Sequence, residues 1–260
     1  MNNAKPVIFI SHISEEAEIA IKLKQLIEKS FLNSVDVFVS SDANSSGVGD
    51  GWLDRIKENL SKTIYAIILC SPKSISRPWI NFEAGAAWIK QIKIAPLCHS
   101  GALPNQLPIP LTTFNGVLLN NETGLNNLFL SLSKEINLSQ PTVDFKDFIN
   151  FIEDFQIKYL FTDKLFEIFE KLNEYSPGFL ERAMSTDECF MMIPQSEDQF
   201  VKNATAFLHE HRIATIKMIT PNVSIVHLGS DTMSRTPYSS RYAFIKDIKF
   251  DNILLSCGFI

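Results

Sequence analysis

The chain has 260 residues, 45% of them hydrophobic and 20% charged, enough to bury one large core or two modest ones. Its net charge of −5 sits in the second half: residues 1–140 hold 12 Lys/Arg and 12 Asp/Glu, whereas 141–260 hold 12 and 17. That balance argues against non-specific binding to nucleic acid, which needs a basic surface to release counterions. No apolar run approaches the ~18 residues of a membrane span, and the opening MNNAKPVIF lacks the apolar region of a signal peptide. The four cysteines (Cys70, Cys98, Cys189, Cys257) form no CxxC pair. Neither zinc nor disulfides are expected, and a reducing cytoplasm is the expected location.

From residue 5 to about 138 short apolar runs alternate with helical patterns. VIFIS (7–11) reads as a strand buried on both faces. The next stretch switches to a helical period, with Ile19, Leu23, Leu26 and Ile27 on one face. Ser14 is the expected N-cap, with Glu15 and Glu16 suiting the helix dipole. DVFVS (36–40) reads as a second strand, followed by a helix from about Gly51 to Leu60. YAIILC (65–70) is the third strand, and Pro78 falls in the first turn of the next helix, where proline is tolerated. IKIAPL (92–97) and GVLL (116–119) complete five strands, with the proline-rich 102–111 as a stiff connection before the last. The expected class is α/β, a five-stranded parallel sheet flanked by helices.

In such folds ligands bind beyond the carboxyl ends of the strands. Those ends are SHIS (11–14), SSDANSSGVGDGW (40–52) and SPKSISRPW (71–79), all rich in hydroxyls. The glycines Gly47, Gly49 and Gly51 do not make a dinucleotide fingerprint: GxGxG is not GxGxxG and follows the second strand, and no GK[ST] occurs. A surface loop able to close as a lid is the better reading. Trp79 and Glu83 stand at i and i+4 and so share a helix face. Spacing alone leaves two readings of Glu83, a solvated helix residue or a carboxylate facing a cleft.

The first 140 residues resemble a TIR (Toll/interleukin-1 receptor) domain of the bacterial type, with a flavodoxin-like sheet. VIFISHISEEAEIAIKLKQLI is similar to that family's opening strand and helix, and the segment from DVFVSSD through NFEAGAAW is similar to its second strand through third helix. WINFE fits the family's WxxxE pattern and puts Glu83 on its catalytic glutamate. The resemblance implies cleavage of NAD between nicotinamide and ribose, with NAD as substrate and no cofactor or metal. It places Ser11 and His12 in the pocket lining, although many members carry an aromatic where His12 stands, which weakens a general-base role for it. Ser41 and Asp42 end the second strand, to bind ribose hydroxyls or to start the loop by turn hydrogen bonds. Trp52 either stacks on a base or packs in the core, and Trp79 either walls the pocket or fills the core. Ala84, Gly85, Ala86 and Ala87 are expected to let the helix approach the sheet closely.

The domain boundary is expected near 137–144, giving domains 1–140 and 141–260. Asp144 is placed to cap a helix bearing Phe145, Phe148, Phe151, Ile152 and Phe155, and a second helix is expected after Asp163. Such aromatic stripes are usually core or an oligomer face. Beyond YSPGF (175–179) come a helix, a link ECFMMIPQ, a helix opened by a Ser196/Gln199 capping box and a hairpin over 213–228. This α+β order resembles a winged-helix module. Its helix EDQFVKNATAFLHEHR is charge-balanced, favouring protein binding or oligomerisation over DNA reading. His209, His211 and His227 fit solvated or capping roles.

The expectation is a regulated TIR effector that depletes NAD in bacterial antiviral defence. Self-association of TIR domains, with residues 43–52 completing a neighbour's pocket, accompanies that reading. A partner or ligand acting on 141–260 would supply the trigger. A cyclase making a cyclic ADP-ribose signal and a non-catalytic adaptor acting through protein contacts are the alternatives.

Overall fold

The computed structural model describes residues 5–39, 61–223, 226–227, 234–235, 239–247 and 250–257. The chain divides into two compact units, Met1–Tyr159 and Leu160–Ile260.

In the first unit β1 (Val7–Ser11), β2 (Asp36–Val39), β3 (Thr63–Cys70), β4 (Lys93–Cys98) and β5 (Val117–Leu118) form an all-parallel sheet in the order β2-β1-β3-β4-β5. Side chains alternate across it, as a period of two requires. Ile8, Ile10, Ile67 and Leu69 join one core with α1 (Ala17–Ser30), α3 (Glu122–Ile136) and the start of α4 (Lys146–Tyr175). Ala66, Ile68, Cys70 and Cys98 join another with Ile80, Ala84 and Ala87 of α2 (Pro78–Ile89). Pro78 opens α2 at its first turn, as expected. The helix expected over 51–60 and the glycine loop lie outside the described residues. Ser14 is not a side-chain cap: it opens a 3-10 turn, and the Glu16 carboxylate instead accepts the Ile13 N–H at 3.2 Å.

The first unit runs past residue 140 because Phe145, Phe148 and Ile152 pack into its core. Asp144 accepts the Lys146 N–H at 2.9 Å just before α4. Asp163 opens no second helix: nothing from 146 to 175 is proline or glycine, so the helical hydrogen-bond ladder continues through 30 residues.

The second unit centres on a three-stranded antiparallel sheet in the order β6-β10-β7 (Glu188–Pro194, Ser239–Lys246, Ala214–Val223). Leu165, Phe169 and Leu172 of α4, with α5 (Phe179–Ser185), α6 (Asp198–Glu210) and α7 (Phe250–Cys257), supply its core. ECFMMIP is a strand rather than a link, with Cys189, Met191 and Ile193 buried at period two. Residues 214–223 form one strand paired with β10, and β8 (Val226–His227) pairs with β9 (Ser234–Arg235), so the expected two-stranded hairpin is replaced by this sheet. Pro221 is accommodated because β7 lies at the sheet edge, next to a register irregularity. The Ser196/Gln199 capping box does not form; Gln199 donates to Asn203 at 3.0 Å. His211 has the capping role expected, its Nδ1 lying 2.9 Å from the Phe207 carbonyl oxygen. All four cysteines are free, and among the described residues no helix is long and apolar enough to cross a membrane.

Candidate active site

Two elements build the site. β1 ends on Ser11 at the carboxyl edge of the sheet, one strand away from β3. α2 begins after the loop that follows β3 and lays Ile80, Glu83, Ala84 and Ala87 against the sheet. Three of these are apolar or small, as an inward face demands, and the fourth is a carboxylate with no solvent exposure. A buried carboxylate needs hydrogen-bond donors, and two are present. The Ser11 hydroxyl donates to Oε2 at 2.5 Å, and the Trp79 indole N–H donates to Oε1 at 2.8 Å.

Burial is the larger influence on Glu83. It pushes the carboxyl up from 4.5 to about 7, while the Ser11 and Trp79 hydrogen bonds pull it back down. The group is therefore close to half-ionised at neutral pH, and a small change of environment moves its charge. Removing one donor in Ser11→Ala is expected to shift the Glu83 titration, followed by carboxyl 13C NMR, above 7. A midpoint that stayed in place would show that Ser11 does not hold the ionised form.

Trp79 is partly buried against the sheet and also holds Glu83. Its ring packs with Phe9, Phe38 and Ala86 and lies 5.1 Å from the Phe82 ring, while its N–H orients the carboxylate. His12 is buried directly after Ser11. Ser41, Asp42 and Trp52 lie outside the described residues. The structure thus brings together Ser11, Trp79 and Glu83. Glu15, Lys73 and Arg77 form partly exposed ion pairs at 3.8 and 3.6 Å, of the kind that contributes little.

A second buried carboxylate went unread in the sequence. Glu16 accepts the Ser71 hydroxyl at 2.6 Å and lies 3.2 Å from His99 Nε2, all three side chains buried. The available signal was a repeated pattern: His99-Ser100 follows β4 much as Ser11-His12 closes β1. Among the described residues no cluster of three or more His, Cys, Asp or Glu side chains suited to a metal ion occurs. Two cavities, about 500 Å³ beside α6 and about 690 Å³ at the amino end of β3–β5, do not include Glu83 in their lining.

The model of the TIR domain family matches residues 8–129. Among solved structures, the TIR domain of the Toll-related receptor TRR-2 from the lower metazoan Hydra magnipapillata is 15% identical. That match covers 50% of this chain and 97% of the receptor domain, with a TM-score of 0.39. A metazoan TIR-STING receptor from C. gigas, solved in complex with 2',3'-cGAMP, is 14% identical, with 90% of this chain and 68% of the receptor covered and a TM-score of 0.36. Comparison with curated proteins gives no match. The matched span runs from β1 through β5 and includes the helix that carries Glu83, and residues 8–129 form a TIR domain.

Proposed function

We propose that the TIR unit cleaves NAD at the bond between nicotinamide and ribose, with Glu83 as the catalytic carboxylate. One observation carries this reading: a fully buried carboxylate at the carboxyl edge of the sheet, with each oxygen held by a separate donor. Nicotinamide leaves as a neutral ring from a cationic pyridinium, so no general acid has to protonate it. Positive charge builds on the ribose as an oxocarbenium ion, as in glycoside hydrolysis. An ionised carboxylate in a water-poor site stabilises that charge strongly. Each Glu83 oxygen keeps a second lone pair beyond the bond it already accepts, free for a ribose hydroxyl. A cationic substrate also favours the ionised form of a group poised near 7.

The wider reading is a regulated cytoplasmic effector that acts by NAD depletion, in the manner of bacterial antiviral defence. The second unit serves in it as sensor or assembly module. Self-association of TIR units belongs to the same reading. It is supported by α2, which is apolar on its outer side as well: Phe82, Trp88 and Ile89 are 57%, 59% and 81% exposed.

The test is NAD turnover by the full chain, with products separated by chromatography, in dilute buffer and with a crowding agent to promote assembly. Release of nicotinamide with ADP-ribose is the expected result. A cyclic ADP-ribose product would assign a cyclase on the same site. No turnover in either condition would leave a non-catalytic TIR adaptor.

A further inference from the structure

Glu16 is as deeply buried as Glu83 and takes no part in the proposed reaction. It sits where four pieces of chain meet. Its Oε2 accepts the Ile13 N–H at 3.2 Å, two residues after Ser11. Its Oε1 accepts the hydroxyl of Ser71, just after β3, at 2.6 Å and lies 3.2 Å from Nε2 of His99, just after β4. The fourth piece is α4. Tyr159 places its hydroxyl 3.1 Å from Ser71 Oγ and its ring edge-on to His99, with centroids 6.0 Å apart. One turn earlier, Gln156 Oε1 accepts the Ser100 N–H at 3.2 Å.

Serine, histidine and glutamate are the residue types of a hydrolytic triad, but the order is wrong for one. The Ser71 hydroxyl donates to the carboxylate rather than to the imidazole, and all three side chains are sealed from solvent. No nucleophile is activated here. Nor is the cluster an economical way to hold a helix down. A buried carboxylate–histidine pair is commonly no better than apolar packing. Gln156 Nε2 and His99 Nε2 are both buried and form no hydrogen bond with the described residues, the His99 atom having only its 3.2 Å contact with Glu16, and each such group costs about 1–3 kcal/mol. What the cluster does supply is fixed geometry, because short polar contacts tie buried side chains from four pieces of chain to one another.

We propose that Tyr159 and Gln156 are positioning residues for the TIR site: through Ser71, Ser100, His99 and Glu16 they fix the turn after β1 and hence Ser11 and His12. Both lie beyond residue 129, where the family match ends, so the working unit extends into α4. The activity arm of the test rests on the NAD-cleavage reading; the exchange arm does not.

The test uses Tyr159→Phe in the full chain, which removes one oxygen and retains the ring contacts with His99 and Phe155. Expected are a fall in kcat of about tenfold with KM changed by less than about twofold, and faster hydrogen exchange confined to amides 11–16. Glu16→Gln should give the same pattern, more strongly. Wild-type kcat together with wild-type exchange at 11–16 in Tyr159→Phe would overturn the proposal. So would loosening spread evenly over Met1–Tyr159, the mark of a merely structural contact. Where wild type cleaves no NAD, the NAD reading fails, and exchange at 11–16 alone decides this one. Should Glu16→Gln not fold, the near-isosteric Tyr159→Phe decides by itself.

Discussion

Glu83→Gln is expected to lower nicotinamide release from NAD by about 10³-fold or more, on the order of 4 kcal/mol in the barrier, with a much smaller rise in KM from the weakened contact with the bound substrate. The substitution suits the site because it removes charge and keeps shape. Trp79 Nε1–H can only donate, so the glutamine carbonyl oxygen turns toward it. The amide NH₂ then faces Ser11, whose hydroxyl accepts as readily as it donates. Lost with the charge is the stabilisation of the ribosyl cation, which exists only in the transition state, so the effect falls mainly on kcat. The same assignment fixes the pH profile. Below the Glu83 pKa of about 7 the group is mostly protonated, so wild-type kcat/KM should rise with pH and level off above 7. A variant retaining a tenth of wild-type activity, or a wild-type profile flat from pH 5 to 8, would remove Glu83 from the reaction.

The sheet was legible because each of its strands is a short apolar run, and buried parallel strands write themselves that way. VIFIS, DVFVS and YAIILC lie within a residue or two of β1, β2 and β3. Glu83 and Trp79 were legible as a pair because i and i+4 on a helix touch whatever the rest of the chain does. Ser11 was visible as a strand end, but not as the partner of a glutamate 72 positions away. The Glu16 cluster was invisible for the same reason, its members coming from α1's approach, two strand ends and α4. An acidic residue in a first helical turn has an adequate local explanation, and local reasoning stops there. In the second unit β6 was read as a link because the strand it pairs with, β10, lies some fifty positions further on. The pairing of β7 with β10 depends on residues some twenty positions further on, which turn signals between neighbours do not report.

Glu83→Gln is also expected to stabilise the protein, and to do so only as the pH rises. In the unfolded chain Glu83 titrates near 4.5, and in the folded protein near 7. Below 4.5 the carboxyl is protonated in both states and wild type and variant differ little. Between 4.5 and 7 the folded state holds a proton that the unfolded state has released, so stability falls with each pH increment. Protonated Glu83 thus contributes stability that is fully present below 4.5 and lost as the pH passes through 7. At about 1.4 kcal/mol for each pH unit, the shift from 4.5 to about 7 amounts to about 3 kcal/mol. Glutamine never ionises and carries no such penalty. Urea unfolding of both proteins from pH 4.5 to 8 isolates the effect, because every other titrating group is common to the pair and cancels in the difference. The expected gap opens from near zero at pH 4.5 to about 3 kcal/mol at pH 8 in favour of the variant. A gap independent of pH would mean that the carboxylate is already ionised in the resting fold, held by donors stronger than Ser11 and Trp79 alone. With the gap present, one desolvation term accounts for both results: burial that costs the fold stability above neutral pH is what makes the charge effective against a cationic transition state.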